Sequence, residues 1–160
     1  MELKGEYRLP ASRETVWKEL NDPETLRQCI PGCESLEKND EDDTMNALVK
    51  VKIGPMKVSF KGEVRLENIN APESYSIVGE GKGGIAGFAK GRADVHLQEA
   101  GPEETILTYQ VDAQVGGKMA QLGGRLIEST AKKLSSEFFD CFAKRIAGED
   151  AVVEGETVTA

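Results

Sequence analysis

The sequence predicts an α+β fold: a curved antiparallel sheet of about seven strands around one long C-terminal helix, with two short helices after the first strand. Three observations predict it. Between Cys33 and Val115, apolar and polar residues alternate in successive runs, each ended by a glycine, a proline or a cluster of acids. That is the two-residue period of half-buried strands joined by short turns. From Gly116 to Ile146 the period changes. Met119, Leu122, Leu126, Ile127, Thr130, Leu134, Phe138, Phe142 and Ile146 form an apolar stripe at helical spacing, uninterrupted by proline. A meander with one apolar face and a single long amphipathic helix have each other as cover.

Glu2 to Leu9 alternates, with Leu3, Gly5, Tyr7 and Leu9 on one face, and Pro10 ends this first strand. Ser12 is a natural N-cap for a short helix whose apolar side is Val16, Trp17 and Leu20. Asn21 and Asp22 close it, and Pro23 suits the first position of a second short helix running to Ile30. Pro31 and Gly32 turn the chain into a strand at Cys33 to Glu37, and the acidic run Asn39 to Asp43 is a solvated hairpin tip. Strands follow through Met45–Ile53, Met56–Leu66, Tyr75–Gly81, Ala89–Leu97 and Leu107–Val115, with a mobile glycine-rich loop at Gly81 to Gly87. The helical run from Gly116 is expected to be unbroken and to stop at Gly148, giving a length of roughly 45 Å. Gly123 and Gly124 inside it mark a bend, a close backbone approach, or space left for something else. One domain over 1–147 and a short, acidic, disordered tail over 148–160 complete the expected organisation.

The balance of 20 basic against 28 acidic side chains gives a formal charge of −8. It argues against nucleic acid as a partner and against simple electrostatic adhesion to an anionic membrane. No apolar run is long enough to span a bilayer and the N-terminal residues contain no signal-peptide core, so a cytoplasmic location is expected.

A search for catalytic chemistry yields no set. His96, the only histidine, falls on the polar phase of its strand, and the carboxylates lie on outward phases and in loops. No residues have metal-ligand spacing. Cys29 and Cys33, with three residues between them, are expected to be buried thiols closing one end of the sheet, with a reversible disulfide between them as the alternative. Cys141 is expected to be a core residue, and an odd count of three cysteines does not suggest a disulfide framework. The glycines at 81–87 are not followed by the residues of a phosphate-binding loop.

The more informative feature is the size of the inward-facing residues. Ala47, Gly62, Gly79, Gly81, Ala89, Gly91, Ala93 and Ala113 occupy positions where a solid core would carry bulk. Sharp sheet curvature would explain them; so would a cavity. The cavity reading has its lining in Met45, Phe60, Tyr75, Phe88, Gly91, Ala93, Tyr109, Met119, Gly123, Leu126 and Ile127, which suits an apolar or flat aromatic ligand.

Several segments together resemble one family. They are Asp22-Pro23, the run Cys29-Ile-Pro-Gly-Cys-Glu-Ser-Leu36, Ile53-Gly-Pro, Val115-Gly-Gly-Lys-Met-Ala, and Leu126-Ile-Glu-Ser-Thr-Ala-Lys-Lys133. From Met1 to Ile146 the chain resembles the CoxG family, the G subunits of carbon monoxide dehydrogenase, within the START-like (SRPBCC), helix-grip superfamily. The resemblance implies a non-enzymatic accessory protein of molybdenum hydroxylases or CO dehydrogenases. It implies a quinone as lipophilic ligand and peripheral contact with the inner face of the plasma membrane. Some relatives carry a long membrane-attaching C-terminal extension; residues 148–160 here are few and acidic, so attachment by the tail does not carry over. Two alternatives stand beside this one: an assembly factor acting through its surface, and a superfamily enzyme such as a cyclase. The enzyme would need polar groups converging inside, where only Tyr75 and Tyr109 are expected.

Overall fold

The computed structural model describes residues 1–160. Strand β1 (Glu2–Leu9) is followed by helices α1 (Arg13–Leu20) and α2 (Pro23–Cys29). Strands β2 (Cys33–Lys38), β3 (Thr44–Ile53), β4 (Met56–Asn70), β5 (Ser74–Lys82), β6 (Phe88–Gly101) and β7 (Glu104–Gly116) form the meander. Helix α3 (Gly124–Ala147) and strand β8 (Glu154–Thr159) end the chain. All eight strands belong to one antiparallel sheet in the order β2-β3-β4-β5-β6-β7-β1-β8. The sheet curves around α3, so the predicted helix-grip architecture is the observed one.

Local chemistry sets the ends of the first helices as the sequence predicts. The Ser12 side chain accepts the backbone N–H of Thr15, and Asp22 accepts that of Glu24 ahead of Pro23 at the start of α2. Three expectations need correction. The helical run is not continuous from Gly116: Lys118–Leu122 is a 3₁₀ turn anchored by buried Met119, and Gly123 breaks the chain direction at φ +97° before α3 begins. Such a backbone angle suits glycine and excludes most side chains. The resulting helix of 24 residues is about 36 Å long. The tail expected to be disordered is instead the edge strand β8, whose register runs from Leu3↔Thr159 to Arg8↔Glu154. The free backbone edge of β1 recruits it, and Thr157 points inward.

The cysteines also differ from expectation. Cys29 is bonded to Cys141, across a sequence separation of 112, so a disulfide ties α2 to α3; Cys33 is the free thiol. Polar contacts reinforce the same junction. Buried Thr25 donates to Glu19 of α1 (2.5 Å) and accepts from Nε of Arg145 (2.8 Å), while Arg145 also donates to Gln28 (2.7 Å).

The buried apolar side chains form two separate clusters. The larger joins Tyr7, Leu9, Ala11, Val16, Leu20, Tyr75, Val95, Leu97, Leu107, Tyr109, Phe139 and Phe142 at the end closed by α1 and α2. The smaller, Ile53, Val58, Ala86 and Met119, lies at the opposite end beneath the start of α3.

Candidate functional site

Strand register orders the inward face into rows that cross the sheet. Ala47, Gly62, Gly81, Ala89 and Val115 form one; Met45, Val64, Gly79, Gly91 and Ala113 form the next. A third contains Leu66, Ile77, Ala93, Val111 and Leu3, and a fourth Tyr75, Val95, Tyr109 and Gly5. The centre of the floor under α3 is therefore glycine and alanine, flanked by aromatic residues at one end and by Phe60 at the other. Val49, Val64, Gly79, Ala93 and Ala113 all keep partial exposure although they face inward. So do Ile127, Thr130, Ala131 and Leu134 on α3. Facing surfaces that both remain accessible leave space between them, whereas a packed interior does not.

The glycines of this floor are not equivalent. A Cβ at Gly79 would meet the Glu63 carbonyl oxygen and Val64 at an ordinary 3.6 Å, and one at Gly62 would come no closer than 3.8 Å to anything. One at Gly91 would fall 2.6 Å from the Asp112 carbonyl oxygen. Close approach of β6 and β7 accounts for Gly91; it does not account for Gly62 or Gly79, where a side chain would fit.

The eleven residues expected to line a site divide into groups. Tyr75 and Tyr109 belong to the large cluster and Met119 to the small one, with Phe60 and Leu126 packed against it. Met45 is buried in neither cluster, and Ala93 and Gly91 lie on the central floor. Phe88 and Ile127 come together at an open cleft of about 560 Å³ by the start of α3, which Met1, Ala113, Val115 and Ala120 also line. Gly123 is exposed, with nothing within 4 Å of where a Cβ would stand, so it shapes the turn rather than the interior. A larger depression, of about 1010 Å³, is elsewhere. It is an open, polar groove on the outward face, lined by residues such as Ser76, Asp94, His96, Thr108 and Glu156. Two of the expected lining residues, Tyr75 and Tyr109, also border it, but most of its lining is polar or charged.

The two tyrosines differ in their bonding. Tyr109 and Tyr7 both engage the Thr157 hydroxyl, at 2.7 Å for Tyr7, so β8 satisfies both phenols. Burial pushes the Tyr7 hydroxyl up to about 12, partly offset by its bond to Thr157. Tyr75 is 5% exposed and packs edge-on to Trp17 at 5.1 Å between ring centroids. Burial also raises its pKa, and its hydroxyl makes no hydrogen bond within the protein. Alternation places both tyrosines inside, but it reveals neither the partner, Thr157, nor Phe139, which stacks on Tyr7 at 4.0 Å. The one signal for Phe139 is its three-residue spacing to Phe142.

No grouping of His, Cys, Asp and Glu could hold a metal ion. His96 lies outward, half-exposed, 3.6 Å from Glu73. The interior thus offers apolar surface, one unpaired phenol and no assembled acid–base pair.

Comparison with known proteins agrees with this geometry. The family model for CoxG, the G subunit of carbon monoxide dehydrogenase, matches residues 5–147, and the chain belongs to that family. A conserved protein from Geobacillus kaustophilus is 33% identical, with a TM-score of 0.87 over 98% of this chain and 99% of its own. A START superfamily protein from Mycobacterium smegmatis is 16% identical, with a TM-score of 0.68 over 91% of this chain and 97% of its own. The Zhui aromatase/cyclase from Streptomyces is 14% identical, with a TM-score of 0.62 over 95% and 99%. These last two share the fold alone. Curated protein sequences give no match.

Proposed function

We propose that this CoxG-family protein is a non-enzymatic carrier that holds a flat lipophilic molecule, a quinone, between α3 and the glycine–alanine floor. The enzyme it serves is a molybdenum hydroxylase or one of CO dehydrogenase type, which it links to membrane electron transport. The observation that carries the reading is the interruption of the core. Two buried clusters end where Gly62, Gly79, Ala93 and Ala113 face Ile127, Thr130 and Leu134 without filling the interval.

Tyr75 supports a quinone over a plain hydrocarbon. Its hydroxyl has no partner within the protein, so it is free to donate to a ligand carbonyl. The Tyr109 hydroxyl is already taken by Thr157. The inward polar groups near it are hydroxyls, with no histidine or carboxylate to exchange a proton with Tyr75, which favours binding over catalysis.

The test is titration of the full chain with a short-chain quinone, together with mass spectrometry of an organic extract of the purified protein. Saturable binding is expected, weakened about five- to ten-fold by Tyr75→Phe, the equivalent of one neutral hydrogen bond. No binding, and no lipophilic molecule in the extract, would overturn the carrier and favour a surface-acting assembly factor.

A further inference from the structure

Charge is not spread evenly over the chain. Three stretches, 44–62, 81–93 and 113–127, contain nine lysines and arginines and no aspartate or glutamate. All 28 acids of the protein lie outside them, accompanied by only eleven basic residues. Topology gathers the ends of these stretches. In a meander, alternate turns lie at the same end, so the β3–β4 turn, the β5–β6 loop and the β7–α3 connection are neighbours. The buried cluster of Ile53, Val58, Ala86 and Met119 takes residues from all three. Gly87 and Gly117 pack backbone to backbone, where a Cβ at Gly117 would fall 2.5 Å from Gly87 Cα.

The opposite end collects the other turns. Asp40 to Asp43, Glu73, Glu103, Glu104, Glu149 and Asp150 all lie there. The molecule has a basic pole and an acidic pole, a division that the net charge conceals.

The basic pole also presents apolar side chains. Ile85, at the tip of the β5–β6 loop, is 89% exposed, and Phe88 behind it is 37% exposed. Exposed Lys52, Lys57, Lys82, Lys90, Lys118 and Arg125 surround them, and none of the six is engaged in an ion pair. The start of α3 has no side-chain cap and no acid in its first turn, so the positive end of the helix dipole adds to the same field. Val152 and Ile69, the other exposed aliphatic residues, lie at the opposite end without basic neighbours in sequence, Val152 between Asp150 and Glu154 and Ile69 between Asn68 and Asn70.

We infer that the basic pole is the face by which this protein sits on an anionic lipid surface, with Ile85 entering the interface and the lysines meeting the headgroups. Each lysine near such a surface contributes about a five-fold gain in partition. A single aliphatic side chain adds to this without anchoring irreversibly, which gives reversible docking. The arrangement rests on the carrier reading and extends it, because the cleft lined by Phe88 and Ile127 opens at the same pole. A lipophilic ligand would then pass between bilayer and protein without crossing water.

The experiment is co-sedimentation of the full chain with vesicles of phosphatidylcholine containing about one-third phosphatidylglycerol, and with phosphatidylcholine alone. No quinone is present, so docking is scored independently of ligand binding. Binding is expected only to the anionic vesicles, falling as salt rises. Ile85→Asp and the double variant Lys82→Gln, Lys118→Gln should each lower partition by at least about ten-fold, whereas Lys38→Gln at the acidic pole should not. Circular dichroism is expected to match wild type, since all these side chains are exposed. Absence of sedimentation, or binding indifferent to the pole variants, overturns the inference. Overturning it equally would be self-association at low salt, without vesicles, that Ile85→Asp abolishes, since that would assign the pole to a second copy of the chain.

Discussion

At the end of the sheet where α1, α2 and the last turns of α3 meet, twelve buried side chains form one cluster, five of them aromatic. A disulfide, a buried Thr25–Arg145 hydrogen bond and the Tyr7–Thr157–Tyr109 group tie its elements together. At the other end four buried side chains suffice, the connections are glycine-rich, and Ile85 faces solvent. Buried packing is concentrated where the loops are acidic, while the most exposed aliphatic side chain, Ile85, stands where they are basic. The difference teaches that the fold is held mainly at one end, which leaves the other lightly packed and is the asymmetry on which the proposed carrier and docking roles rest.

The largest expected effect tests the packed end. Phe142 is fully buried between Phe138 and Phe139, so Phe142→Ala should cost about 3–5 kcal/mol by urea denaturation. Met119→Ala at the small cluster should fall in the lower part of the usual range, about 2 kcal/mol. Equal losses at both sites would erase the contrast.

Next comes the disulfide. Closing a separation of 112 residues restricts the unfolded chain, so replacing Cys29 and Cys141 with alanine should lower stability by about 2–4 kcal/mol. Cys33→Ala, which removes a free thiol, should change little. Urea midpoints of both variants, with and without reductant, check this; a Cys33 variant as unstable as the double variant would mean that the pairing is different.

A smaller effect is expected from Thr157→Val, which leaves two buried phenols without their partner and should cost about 2 kcal/mol. Its pH counterpart follows from Tyr7. The folded-state pKa is raised from 10.0 to about 12, so the folded protein holds this proton more tightly than the unfolded chain. The associated stability is complete below pH 10 and is lost as pH rises through 12. Tyr7→Phe should flatten the decline of the urea midpoint between these values, and an unchanged slope would count against the buried phenol as its source.

How much of this is legible in the sequence follows from what each feature depends on. The meander is legible because alternation reports burial of one face, and the floor of small residues because register then aligns Gly62 with Gly81 and Gly79 with Gly91. The disulfide is not, because Cys29 and Cys141 are brought together only by the packing of α2 on α3, and no local spacing records it. Strand β8 escapes because a single buried residue, Thr157, distinguishes it from an acidic tail; its pairing is mostly backbone to backbone. The break at Gly123 is visible as an anomaly, but choosing among bend, close approach and ligand space needs its positive φ. Net charge conceals the uneven distribution, since −8 is a sum over acid-free basic stretches and an acid-rich remainder.

The most direct measurement of the central claim, that the interval between the two cores is ligand space, uses Gly79→Leu. Its Cβ is accommodated at 3.6 Å from its neighbours, and the rest of the side chain enters the interval under α3. Urea denaturation and titration with a short-chain quinone are compared for this variant and wild type. The account predicts a stability change below about 1 kcal/mol and loss of quinone binding by at least about ten-fold, since overpacking a solid core would cost about 1–3 kcal/mol. A large loss of stability with unchanged quinone affinity would contradict it.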